Sequence, residues 1–308
     1  MSYAIGVDLG GTNIKAVAVE EDGEVVDRLT SATGDDERGS WAERVRALVG
    51  ALEGRRGAPA SRLGLASPGL VARDGRSMVS VHGQLESVRG FDWAEFLKAG
   101  CPVLLLNDAH AALLGEVWKG AAAGCRDVVL ITLGTGVGGA VLTGGRLLKG
   151  HLGRGGHLGH ICLDTGGEPE STGLPGSLED AVGNRTLPAR SGGRFTSTEE
   201  LVAAHLRGDA DATRVWLDSV FKLACAVSSL INVLDPEVVI IGGGIARAGR
   251  ALFDPLDDYL EQVEWRPGGF RVRVVPAALG DNAGALGAAF HAMRHTGGAT
   301  PGSSNESA

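Results

Sequence analysis

Two short glycine-rich stretches, about 125 residues apart, could each cradle a phosphate. The first is Asp8-Leu9-Gly10-Gly11-Thr12-Asn13, with Lys15 beyond it; the second is Gly134-Thr135-Gly136-Val137-Gly138-Gly139. A phosphate is held by backbone N–H groups aimed at it. Glycine suits that task, because a Cβ would push the backbone away or strain a turn with φ above zero. Thr12 and Asn13 add side-chain donors, and Asp8, at a strand end, can hold Mg2+ through water. Either stretch alone serves equally well as a plain hairpin turn. Two matched ones suit a clamp on a polyphosphate from both sides.

Asn107-Asp108 closes an apolar run, PVLLLN, and opens a helical one. A carboxylate at such a strand end can take the proton of an attacking hydroxyl, as phosphoryl transfer requires. Taken alone, the commoner use of an Asp here is to cap the helix that follows. A third glycine turn, Gly242-Gly243-Gly244, follows the strand-like EVVII and precedes a helical run. Gly243 and Gly244 can lie next to a nucleotide or simply join strand to helix.

Two alternatives fit the context less well. Gly134, Gly136 and Gly139 satisfy G-x-G-x-x-G, but a dinucleotide site needs a helix next, and AVLTGGRLL reads as strand and turn. His151, His157, His160 and Cys162 invite a metal reading. They lie in a glycine-rich loop that fixes no common face, and a substrate-facing pair, His157 and His160, suits them better than four convergent ligands.

Elements that would position these groups follow from periodicity. A meander over residues 3–8, 14–21 and 24–29 turns at Asp22–Gly23, and a second meander spans 127–149. Laid over one another, VDLGGTNIKAVAVEEDGEVV and ITLGTGVGGAVLTGGRLL share the order strand, glycine turn, strand, tight turn, strand. This is an internal duplication and implies two related lobes facing each other across a cleft. Helical spacing marks 40–56, 92–99, 108–119, 198–233, a run from about 245, and 281–294. Strands are expected at 62–66, 102–107, 237–241 and 270–276, with loops through 146–200.

The formal charge of −8 argues against non-specific nucleic-acid binding, which runs on Lys and Arg. No continuous apolar stretch reaches the ~18–20 residues of a membrane span, and no signal core opens the chain. The expectation is a soluble, cytoplasmic protein. The widely spaced cysteines form no CxxC pair.

Over residues 4–290 the motifs, in order, resemble the ROK family of bacterial sugar kinases and repressors. DLGGTN (8–13) and LGTGVGGAV (133–141) are similar to its phosphate motifs, and LNDAHAALLGE (106–116) to its catalytic segment NDANAAALGE. GHLGH (156–160) resembles GEIGH, and DPEVVIIGGGIARAG (235–249) the adenosine motif. The resemblance implies an α/β, two-lobed actin/hexokinase-like (ribonuclease H-like) fold with a central cleft. Residues 1–107, joined by a helix at about 281–295, would form one lobe and 108–280 the other, with a disordered tail over 296–308. It further implies ATP with Mg2+ and transfer of the γ-phosphate to a sugar hydroxyl. Asp108 would be the base, with Asn107, His157, His160 and Glu179 around the sugar. A homodimer is favoured, and a repressor role is not expected without a helix-turn-helix.

Departures concern the sugar end. The Glu of GEIGH is His157. In the zinc motif CxCGxxGCxE the cysteines are replaced by Glu170, Thr172 and Ser177, so no structural zinc is expected, while Glu179 is retained. A non-catalytic sugar or nucleotide sensor, or a different enzyme of this fold such as an acetate kinase-like protein or an ATPase, stays open at this point.

Overall fold

The computed structural model of the chain describes residues 2–34, 39–81, 85–168 and 172–294. The expected tail from 296, Glu170, and part of the loop 81–90 lie outside the described residues. The first half runs β1 (Tyr3–Leu9), β2 (Asn13–Glu20), β3 (Val25–Ala32), α1 (Ser40–Arg56), β4 (Arg62–Ser67), β5 (Leu70–Val71), β6 (Met78–Ser80), α2 (Trp93–Leu97), β7 (Val103–Asn107) and α3 (Asp108–Lys119). The second runs β8 (Val128–Leu133), β9 (Val137–Thr143), β10 (Arg146–Leu147), α4 (Leu178–Val182), α5 (Leu187–Arg190), α6 (Thr198–Leu206), α7 (Ala210–Leu234), β11 (Val238–Gly242), α8 (Arg250–Val263), β12 (Arg273–Pro276) and α9 (Ala283–Arg294).

The duplication is exact at the level of topology. One sheet has the order β3-β2-β1-β4-β7 and the other β10-β9-β8-β11-β12. In each, a meander is followed by two parallel strands added to the far side of its first strand. Central strands covered on both faces must be apolar nearly throughout, which is why YAIGVDL and VVIIG are almost wholly buried.

Alternation along β1 sorts its side chains onto two layers. Tyr3, Ile5, Val7 and Leu9 pack with Trp41, Val45, Leu48 and Leu52 of α1. Ala4 instead meets Ala285, Leu286 and Ala289 of α9. The second sheet repeats this: Val129, Ile131 and Leu133 pack against α7 and α8, while Val128 and Leu130 face α3. Thus α3, which leaves the first sheet, covers the second, and α9, which leaves the second, covers the first. The two helices cross with backbones nearly touching. A Cβ on Gly287 would lie 1.7 Å from the Ala111 carbonyl oxygen, and one on Gly115 2.5 Å from that of Ala283.

Differences from the expected elements are local. The run 198–233 is two helices, α6 and α7, because Gly208 and the Asp209 cap, which accepts from Ala212 N–H, restart the helix. The run from 245 begins as a 3-10 turn, Ile245–Ala248, and only after Gly249 becomes α8. The short β5–β6 pair was not expected. Among the described residues α7 is long and apolar enough to cross a membrane by length and composition. Here Val215, Trp216, Leu223, Val227 and Ile231 are buried in the second core.

Candidate active site

Asp8 falls on the face of β1 that α9 covers, and its carboxylate lies against the start of that helix. A Cβ on Gly284 would be 2.6 Å from Asp8 Oδ2. Lys15 pairs directly across from it on β2 and reaches Asp281 at 3.8 Å. Burial, then the Asp108 charge, push the Asp8 carboxyl up to about 7, while Lys15 pulls it back and Asp281 pushes it further. Asp8 and Asp108, from different segments, therefore share one electrostatic site.

The first glycine turn is fixed by Thr33, the residue after β3. Thr33, fully buried, accepts nothing from the turn but donates twice: its N–H to Thr12 O at 2.8 Å and its hydroxyl to Gly10 O at 2.6 Å. The second turn is fixed from the segment after α4. Asn184 N–H and Arg185 N–H donate to Gly134 O and Thr135 O, both at 3.0 Å. With the carbonyls tied back, the amides of Gly11, Thr12, Thr135 and Gly136 have no backbone partner among the described residues. Such unpartnered amides on two turns suit phosphate oxygens. The glycines at 10, 134, 136 and 138 do not adopt the left-handed conformation expected of tight turns; Gly243 does, with φ 85°. At Gly136 the constraint is space: a Cβ would lie 2.3 Å from Glu179 Oε2.

Glu179 accordingly sits on the second turn. Its Oε2 accepts Val137 N–H at 2.9 Å, and Arg185 donates to its Oε1. The sequence alone did not show this placement beside the turn.

Asn107 caps α3: its Oδ1 accepts from Ala109 N–H at 3.0 Å and His110 N–H at 3.2 Å, and its amide nitrogen donates to Gly69 O at 3.1 Å. The cap is therefore Asn107, and Asp108 stands one residue inside the helix, open to solvent. Asp108 Oδ1 accepts Ala109 N–H at 2.9 Å. Although the side chain opens to solvent, the walls of protein around it raise its carboxyl above the ordinary range, while the Ala109 amide and nearby His157 draw it down.

His157 lies between two other imidazoles. Its ring centroid is 6.5 Å from that of His110 and 6.5 Å from that of His160. Burial lowers its pKa, His160 lowers it further, and Asp108 opposes both. Its Nε2 is buried without a hydrogen-bond partner among the described residues. A buried nitrogen without a protein partner near a raised carboxylate suits a hydrogen bond to a hydroxyl. His110, on α3, is the residue the motif reading passed over. Its signal was a histidine two positions past Asp108, but its partner, a loop carbonyl, is visible only in three dimensions.

Cysteine positions of the resembling zinc motif have other work here. Ser177 is fully buried and its hydroxyl caps α4, accepting Asp180 N–H at 3.0 Å. Leu163 N–H donates to Gly176 O and Leu178 N–H to Ile161 O, each at 2.8 Å, and Leu178 is fully buried. No group of three His, Cys, Asp or Glu side chains stands ready to hold a metal among the described residues. Cavities of about 440 Å3 between α8 and β12 and about 320 Å3 beside Trp118 and Phe290 share no residue with the site.

The chain is similar to known proteins over nearly its whole length. The chain matches the ROK family over residues 4–295. A glucokinase of Thermotoga maritima is 34% identical, the alignment covering 96% of this chain and 98% of that protein. An N-acetylmannosamine kinase of Escherichia coli is 30% identical over 94% of this chain and 98% of that one. The crystal structure of a ROK family glucokinase from Streptomyces griseus, in complex with glucose and AMPPNP, superposes with a TM-score of 0.78 at 27% identity, covering 95% of this chain and 99% of that one. The two repeated sheets are those of the actin/hexokinase fold, and the chain belongs to the ROK family.

Proposed function

We propose that this chain is an ATP-dependent sugar kinase, transferring the γ-phosphate of ATP to a hydroxyl of a hexose or amino sugar. The observation that carries the reading is Asp108. It is a carboxylate relieved of capping duty by Asn107, raised in pKa, and set beside His157 and within electrostatic reach of Asp8. The glucokinase and N-acetylmannosamine kinase relatives support the reaction class.

In this reading the turns at 10–13 and 134–138 receive the polyphosphate through their unpartnered amides, and Gly243 and Gly244 flank the nucleotide. Asp108 takes the proton of the sugar hydroxyl as its oxygen bonds the γ-phosphorus; the bond to the β,γ-bridging oxygen breaks, and ADP leaves with that electron pair. Asn107, His157 and His160 face the sugar. Asp8 fits Mg2+: its carboxylate has no hydrogen-bond partner among the described residues and carries a raised pKa that a cation would relieve. A single protein carboxylate matches an ion held mainly by phosphates and water. When bound, that ion neutralises charge developing on the phosphates. Residues 1–107 with the helix from 281, and residues 108–280, are the lobes between which substrates would sit.

A panel of hexoses and amino sugars with ATP and Mg2+, read by ADP release, tests the reading. Asp108→Asn should retain nucleotide binding and lose roughly 10²–10⁴-fold in kcat, the usual range for a general base. Near-normal turnover in that variant would return Asp108 to a structural role. No turnover with any sugar, while sugar and nucleotide both bind, would favour a sensor.

A further inference from the structure

Loop 148–157 (LKGHLGRGGH) joins β10 to the 3-10 turn Leu158–His160 and delivers His157 to Asp108. Four of its ten residues are glycines, so the backbone does not order itself. Its base is tied by Leu148 N–H to Val141 O and Gly155 N–H to Lys149 O, each at 2.9 Å. Among the described residues, Arg73 and His110 hold the rest. Arg73, from the turn between β5 and β6, donates to His151 O at 2.9 Å and contacts its Nδ1 at 2.8 Å. His110 meets Gly155 O through Nε2 at 3.0 Å.

The His110 contact is the more buried constraint. The residue is only 4% exposed. Burial depresses its pKa to about 4, so the ring is neutral at physiological pH. A carbonyl only accepts, so Nε2 carries the proton and the tautomer is set. The loop is pressed onto the ring. Gly156 has φ 91°, and a Cβ there would stand 3.2 Å from His110 Nε2 and 3.1 Å from Ala140 Cα. His110 also lies two residues beyond Asp108 on α3. The helix that carries the base therefore carries the peg for the loop that carries His157.

We propose that His110 is a positioning residue of the acceptor site: its bond to Gly155 holds loop 148–157, and with it His157, in register with Asp108. This rests on the sugar-kinase reading. It differs from a packing role, which would need the ring but not the donor.

Two variants separate these. His110→Phe keeps a ring of similar size and removes the donor; His110→Gln keeps a donor and removes the ring. With the best sugar of the panel, His110→Phe should raise KM for sugar about tenfold, the scale of one lost buried hydrogen bond that orders a site, with KM for ATP little changed. Amide hydrogen exchange over 150–157 should quicken in that variant, and His110→Gln should restore much of both. Parental KM and exchange in His110→Phe would overturn the proposal, as would a glutamine variant no better than phenylalanine. Should His110→Phe fail to fold, His110→Asn, whose shorter amide stops short of Gly155, takes its place with the same expectations. Asp108→Asn, assayed alongside, tests the underlying reading: if it turns over normally the kinase mechanism fails, whereas a silent His110→Phe beside a dead Asp108→Asn removes only the role of His110.

Discussion

An ionised Asp8 has burial, Asp108 and Asp281 against it and only Lys15 in its favour, which places its carboxyl at about 7. The unfolded chain ionises the same group near 4. Between those values the unfolded state holds fewer protons than the native one, so native stability declines as pH rises from about 4 to about 7 and stays low above it. Asp8→Asn should therefore raise Tm at pH 8 and not at pH 4. The gain should be about 2–4 °C, on the order of 1–2 kcal/mol after allowance for the side chain's partial exposure. The same substitution should weaken MgATP binding. Equal shifts at both pH values, measured by thermal denaturation without nucleotide, would show that Asp8 is not strained by its charge. Candidate residues of this kind stand out in the sequence because their types and spacing suggest a chemistry: Asp8 before a glycine turn, Asp108 at a strand end. Which of Asn107 and Asp108 caps the helix was not legible, since either side chain can do it and the choice depends on Gly69. Thr33 and His110 were silent for the same reason, each acting on a carbonyl distant in sequence.

Among the elements, the segment between His160 and α4 departs most from the resembling motif. Thiolates at the Thr172 and Ser177 positions would hold zinc; hydroxyls are poor ligands for it. The segment is instead closed by hydrogen bonds from Leu163 and Leu178, by the Ser177 cap and by burial of Leu178. Exhaustive chelation followed by Mg2+ should thus leave both Tm and activity unchanged, and elemental analysis should find no stoichiometric zinc. One zinc per chain, with unfolding on its removal, would refute this. Ser177→Ala should cost about 1 kcal/mol, the usual worth of an N-cap. Meanders, α1 and α3 were readable to within a few residues, because periodic burial and turn chemistry act locally. Short elements such as β5 and β6 were not, since their pairing is decided by the strands and loops around them.

For the whole molecule, the repeat of two glycine turns already implied two related halves, and the strand orders bear that out. What the repeat did not reveal is the traffic of helices between them. Residues 1–124 alone lack α9, so Ala4, Val17 and Val19 would be left uncovered. That fragment should be poorly soluble alone, should fold when residues 125–308 are co-expressed, and should co-purify with them. A soluble, cooperatively unfolding N-terminal fragment would contradict this.

The crossing of α3 and α9 has a meaning in the language of assemblies. Each half lends its last helix to its neighbour, as two subunits do in a reciprocal domain swap, but both partners here are joined in one polypeptide. Gly115 and Gly287 bring the exchanged helices into backbone contact, so a side chain at either position would force them apart. The first residue of α3 is Asp108, and the start of α9 abuts Asp8. The two carboxylates on which the proposed chemistry depends thus stand at the starts of the two exchanged helices, one on α3 itself and one against α9.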